Sequence, residues 1–456
     1  MATRHDPYFY LPRFVRLEAL VQTRSQAKLR DFILAMSGGS TPKAEEQEKY
    51  YGDATTGVPF VRVQNLKVSG ELSLDDVKHV NHETHHGLLA RSQVKQDDLL
   101  VKITGVGRMA VAAVPPQGFE GNINQHIARI RTKDRASSEA LAAWLNTDIA
   151  EALAKRRSTG GTRPALDYPA LRSIPVILDE RTEREVRAAY DAYKAALKQA
   201  SHKLAGIDDY LLAELGITLP PEPANTLASR IFTAQRRELE QRFDPAYFSS
   251  RFSRIQHALE TISHSRLHEV AIFSSEQWDQ VSGFGDDFPY LEISAINTAT
   301  GEVSGIDLIP KKNAPSRAKM LIREGDLLVS TTRPNRGAIT LVDSCIQTPL
   351  IASTGFSVIR NIIESKISKE FLLILLRSRL CSMQLEQRSS GGNYPAITQS
   401  ELGRILIPVI ALRAQENVVT HVKALHAEAK RLRAKAQIEL EAAKRRIEAM
   451  LLGEPA

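Results

Sequence analysis

The chain is poor in cysteine: Cys345 and Cys381 are the only two in 456 residues. That excludes a disulfide-dense scaffold and suits a reducing compartment, which we read as the cytoplasm. Long apolar runs are also missing. The most apolar stretch, FLLILL from Phe371, is far too short to span a bilayer and reads as a core helix. Arg4, His5 and Asp6 stand where a secretory leader needs an apolar run. Neither a phosphate-binding P-loop nor a G-x-S-x-G elbow occurs. His79, His82, His85 and His86 cluster without a cysteine, and a polar surface loop is a better reading than a metal site. Gly105-Val106-Gly107-Arg108-Met109-Ala110 has a dinucleotide-like spacing, but AVAAV follows where a helix should start. It reads as a hairpin loop.

What the chain has is one internal repeat. Arg157-Ser158-Thr159-Gly160-Gly161-Thr162-Arg163-Pro164-Ala165 returns as Arg388-Ser389-Ser390-Gly391-Gly392-Asn393-Tyr394-Pro395-Ala396, and its surroundings return in the same order about 230 positions later. GVPFVRVQNL from Gly57 parallels DFPYLEISAI from Asp287, and DDLLVKITG from Asp97 parallels GDLLVSTTR from Gly325, which sets Asp98 on Asp326. Arg131 falls on Arg360, Ser137 on Ser368, and IPV at Ile174 on IPV at Ile407. Each copy carries short β-branched runs between turns, then one amphipathic helix. In the first copy Ser137 or Ser138 is the expected cap.

A much longer helix closes each copy. Val186, Tyr190, Tyr193, Leu197, Ala200, Leu204, Ile207 and Leu211 alternate steps of four and three, the spacing of a coiled-coil seam. Val418, Val422, Leu425, Ala429, Leu432, Ala436, Leu440, Ala443, Ile447 and Met450 do the same with one slip at Ala436. Two such seams would pair, most simply antiparallel. The helices are expected near 182–214 and 412–451, with the chain leaving the first through the proline-rich turn around Pro220. Charge on their outer faces, as in KRLRAK and EAAKRR, reads as solvated surface. The formal net charge of +7 permits an acidic partner without demanding one.

Strand-rich module, GDLLVSTT-type hairpin, Ser-x-Gly-Gly turn with a following Pro-Ala, IPV and long helix, all present twice, resemble the DNA specificity subunit of type I restriction-modification systems. The resemblance covers nearly the whole chain. It implies an α+β fold with a pseudo-two-fold: target recognition domains at 1–180 and 240–410, spacer helices at 181–216 and 411–452, and a linker at 217–239. It also implies double-stranded DNA as ligand, with two methyltransferase subunits and restriction subunits as partners, and no membrane. No cofactor is expected in this chain, AdoMet belonging to the methyltransferase partner. Asp6-Pro7-Tyr8-Phe9 and Asp244-Pro245-Ala246-Tyr247 lack the second proline of an adenine methyltransferase tetrad, so catalysis by this chain is not expected. Two other readings stay open: an adaptor of the same build serving another defence effector, and a coiled-coil scaffold whose modules bind protein.

A DNA reader needs loop donors for phosphates and paired donors and acceptors for base edges. After the matched DLLV strands the loops diverge, KITGVGRMA in one copy and STTRPNRGA in the other. Candidate contacts in the first module are Arg62, Gln64, Asn65, Lys67, Lys102, Arg108, Asn122, Asn124, Gln125, Arg157 and Arg163. In the second they are Asn297, Thr331, Arg333, Asn335, Arg336, Arg388, Asn393 and Tyr394. The Gly-Gly turns, kept in both copies, are expected to serve backbone geometry or phosphate contact.

Overall fold

The computed structural model describes residues 6–43, 47–52, 57–74, 77–178, 180–219, 226, 231–233, 239, 242–346, 348–392 and 394–452. The turn around Pro220 and Asn393 lie outside the described residues. Two compact units form: one comprises Met1–Lys198 with Leu432–Ala456, the other Gln199–Arg431.

In the first unit an antiparallel sheet runs in the order Ala35–Gly38, Ile127–Arg131, Leu99–Lys102, Ala112–Ala113. A second sheet runs Tyr51–Gly52, Lys78–Val80, Val58–Val61, Glu120–Ile123, Gln93–Lys95, in which Val58–Val61 pairs in parallel with Glu120–Ile123. Leu99–Lys102 explains the layering. Leu99 and Val101 point to a core with Leu141, Trp144 and Leu145, while Leu100 between them points to Val61, Val94 and Ile123 of the second sheet. Period two thus puts one strand at the boundary of two cores, which is why it is apolar at every position but its last.

The second unit repeats this plan. Its antiparallel sheet runs Ala271–Ser274, Phe356–Ile362, Leu327–Ser330, Ile339–Leu341, and its other sheet runs in the order Asp307–Pro310, Asp287–Leu291, Leu350–Ser353, Ala318–Ile322. Asp287–Leu291 and Leu350–Ser353 make the matching parallel pair. Leu327 and Val329 face Phe371 and Leu375, and Leu328 faces Leu291 and Leu350. The repeated motifs therefore mark a repeated fold.

Three expectations need correction. Among the described residues each module has two short helices, not one, between its last long strand and its Gly-Gly turn: Arg135–Leu145 with Asp148–Arg157, and Lys369–Arg377 with Arg379–Arg388. The first is capped by Asp134, whose carboxylate accepts from Ser137 N; Ser138 is buried and donates to the Asp97 carbonyl instead. Thr147 and Ser378 restart the chain as new caps. The histidine segment is likewise not a surface loop. His82–His86 is a short helix, and its His85 is buried between Asn122 at 2.6 Å and Glu120 at 3.2 Å. Among the described residues no group of acids, histidines and cysteines could hold a metal ion.

The long helices are Glu180–Glu214 and Leu412–Leu452. Their described seam residues turn inward: Tyr190, Ala200 and Leu211 on the first, and Val418, Val422, Ala429, Ala436, Leu440 and Ala443 on the second, are buried. Ala436 and Leu440 both stay inside, so the slip does not break the stripe. In the second unit Lys203 meets Glu428 at 2.9 Å and the Tyr210 ring lies 4.0 Å from His421, a descending register that makes the pairing antiparallel. In the first unit Tyr190 and Leu440 enter the same core. Among the described residues no helix is long and apolar enough to cross a membrane.

Candidate nucleic-acid interface

In each unit four loops meet at one end of the antiparallel sheet. The strands ending there in the first unit are Gly38, Ile127, Lys102 and Ala112, as their register requires. The hairpin loop at residues 103–111 is stitched to the Gly-Gly turn by backbone bonds: Gly105 N donates to Pro164 O at 3.1 Å, and Leu166 N to Ile103 O at 2.8 Å. The second unit makes the same two stitches, from Arg333 N to Pro395 O at 2.7 Å and from Ile397 N to Thr331 O at 2.9 Å. Each turn also closes on itself, Thr159 with Ala165 and Ser390 with Ala396. Main-chain bonds depend little on side chains. One scaffold can therefore carry different residues at corresponding points.

The first glycine of each turn is required by the backbone. Gly160 and Gly391 have φ of +95° and +100°, and a Cβ on them would stand 2.9 Å from the Arg163 carbonyl oxygen and 3.2 Å from that of Tyr394.

Of the first module's candidates, Lys102, Arg108, Asn124, Gln125 and Arg163 come together at this end. Lys102 is largely buried and donates from Nζ to the Val106 carbonyl at 2.7 Å; burial holds its pKa below the usual lysine value. Arg108 is tied down by Asp148 and the Asn146 carbonyl, both at 2.6 Å. Asn124 Oδ1 accepts from His126 N at 3.3 Å, while Gln125 and Arg163 are exposed. The second module gathers Thr331, Arg333, Asn335, Arg336 and Tyr394. Thr331 donates through N and Oγ1 to the Gly355 carbonyl. Arg333 has left-handed backbone at φ +49°, and its guanidinium lies 4.2 Å from the centre of the Tyr394 ring. Asn335 and Arg336 are exposed.

Four other candidates are buried in the modules and spend their polar groups on protein partners. Asn122 is fully buried and spends its amide on His85, the Leu89 carbonyl and Ser92. Asn65 is buried and accepts from Arg62 N. Arg157 reaches Glu18 at 2.6 Å, Ser173 and the Leu153 carbonyl, and Arg388 pairs with Glu401 at 3.0 Å. These arginines anchor the feet of the two turns. Arg62, Gln64, Lys67 and Asn297 sit on a different loop, whose neighbours face the second long helix: Val68 O accepts from Lys444 in one unit, and Glu302 pairs with Lys430 in the other. Asn297 is spent locally, its Oδ1 accepting from Ala299 N and Thr300 N.

Residues outside that candidate set complete the picture. Thr41 Oγ1 donates to Gln125 Oε1, and Gly39 packs so closely on the Ile123 and Asn124 carbonyls that a Cβ would come within 2.2 Å of them. The Ser37-Gly38-Gly39 triplet, a third Ser-Gly-Gly-like element, was the signal for this loop. Arg377, with its pKa pulled down by burial, donates to the carbonyls of Thr298, Gly337 and Ile339 and bolts the second hairpin in place.

No protein-family model matches the sequence, and no curated protein does. Solved structures align with nearly its whole length. A chain from a type I restriction-modification system, studied for complex assembly and conformational transition, shares 16% identity over 93% of this chain and 95% of its own, with a TM-score of 0.36. The S subunit of a type I restriction-modification system from M. genitalium shares 13% over 94% and 96%, at 0.34. The HsdS subunit from Thermoanaerobacter tengcongensis shares 16% over 93% and 94%, at 0.30. Identities of this size carry no residue's role across to this chain.

Proposed function

We propose that the chain is a sequence-specific double-stranded DNA reader, the specificity subunit of a type I restriction-modification complex, with one module for each half of a split site. One observation carries the reading: the two modules keep the same hairpin and turn backbone, stitched by the same bonds, and vary the side chains mounted on it. Target-independent framework with target-dependent loops is what a bipartite reader requires. In this reading the long helices dock two methyltransferase subunits, which carry AdoMet, and restriction subunits join the same assembly. The chain itself performs no chemistry.

Selection of the full-length protein against duplexes with a randomised centre tests this. Two short patches of fixed bases separated by free positions are expected, with affinity falling steeply as salt rises. A pool that stays random, or a single contiguous motif, would sink the reading.

A further inference from the structure

The second glycine of each turn poses a question that the first does not. Gly161 and Gly392 lack positive φ, are exposed, and have no heavy atom within 4 Å of where a Cβ would stand. Nothing inside either unit asks for glycine there, and a larger residue would fit. Both copies nevertheless have it, although the neighbouring residues differ: Thr159 and Thr162 in one, Ser390 and Asn393 in the other.

Charge at the turn shows a related pattern. The first module carries Arg163 on the turn and Gly105 on the stitched hairpin, while the second carries Tyr394 at the place of Arg163 and Arg333 at the place of Gly105. The Arg333 guanidinium stacks on Tyr394 and so stays at the turn. Besides the buried Arg157 or Arg388 at its foot, each turn thus has a guanidinium from Arg163 or Arg333, on opposite sides of the stitch. Two modules with different targets share only what does not depend on sequence, and in a duplex that is the sugar-phosphate backbone.

We propose that each turn is a phosphate-contact site for duplex DNA, in which the bare main chain at Gly161 or Gly392 approaches a phosphodiester oxygen and Arg163 or Arg333 supplies the counter-charge. This rests on the DNA-reading function and assigns the turn a role within it. A side chain at the second glycine would hold the phosphate away from the backbone N–H. Base reading is left to the other hairpin side chains.

The test uses the full chain and the duplex selected by the wild type. Gly161→Leu and Gly392→Leu should leave the thermal midpoint unchanged and weaken binding at least about tenfold, the order expected for loss of one hydrogen bond to a charged group. The selected motif should not change. Gly160→Leu and Gly391→Leu are the structural controls and should lower the thermal midpoint. Arg163→Ala and Arg333→Ala should weaken all sequences alike and flatten the salt slope by about one unit. Wild-type affinity in the Gly161 and Gly392 variants, or a changed base preference in any of the four phosphate-site variants, would overturn the assignment while leaving the DNA-reading function standing. A wild type that selects no duplex would overturn both.

Discussion

Asp326 and Asp98 occupy the same place in the two modules, each buried and each holding an arginine of the neighbouring strand. Asp326 accepts from Arg323 N and twice from Arg360, at 2.8 to 2.9 Å; Asp98 accepts from Lys95 N at 2.9 Å and once from Arg131 at 3.2 Å. Arg360 is mostly covered, whereas Arg131 is about half exposed. Asp326→Ala should therefore cost about 3 kcal/mol and Asp98→Ala about 1 to 2 kcal/mol in urea unfolding, because solvent screens the second pair more. Equal losses would contradict this difference in burial. Arg336 and Arg108 form another matched pair with unequal fates. Asp148 holds Arg108, but the corresponding residue beside Arg336 is Arg379, so Arg336 is left exposed at the hairpin. Arg336→Ala should change the preference at one position of the second half-site in a selection experiment and leave the first half-site alone. Unchanged preference in both halves would remove Arg336 from base readout. The paired aspartates were legible in the sequence because they recur in register. The burial of Arg157 was not, because its acid partner Glu18 lies on a helix 139 positions away and no local pattern announces it.

At the level of elements, the repeat made the matched strands and both long helices readable, since alternation and seam spacing are local properties, but not the division of those strands into two sheets. The stitching of hairpin to turn was hidden, because main-chain bonds between segments distant in sequence leave no mark on residue type. Seam burial gives a direct test. Leu440 is 1% exposed and packs with Tyr190, so Leu440→Asp should destabilise the first unit by about 3 to 5 kcal/mol in thermal or denaturant unfolding. A loss under about 1 kcal/mol would mean that the seam is not packed as described. Glu448 on the same helix accepts from Asp148 N at 2.7 Å, yet burial raises its pKa above the usual glutamate value. The folded state favours its protonated form. That contribution is complete below the unfolded value, near about 4.3, and is lost as pH rises through the folded value. Glu448→Gln should accordingly raise the unfolding midpoint at neutral pH, with the gain vanishing below about pH 4. A gain that persisted in acid would point to some other cause.

At the scale of the whole molecule, the proposed division of labour makes a calorimetric expectation: AdoMet should give no saturable heat with the isolated chain, and methylation should appear only with a methyltransferase subunit added. Saturable binding would return the chain to the enzymes. The partition of the long helices reaches further. The first unit takes in the second long helix from Leu432 onward, and Leu440 sits in its core beside residues of the first module. On a ribosome adding roughly 5 to 20 residues per second, the stretch from Lys198 to Leu432 takes about 10 to 50 s. Through that interval the nascent first module exposes the apolar face that Leu440 will cover, and it cannot complete its core by folding in the order of synthesis. The second long helix thus finishes a core begun much earlier in synthesis, and products truncated before Leu440 should be ready substrates for chaperones and proteases.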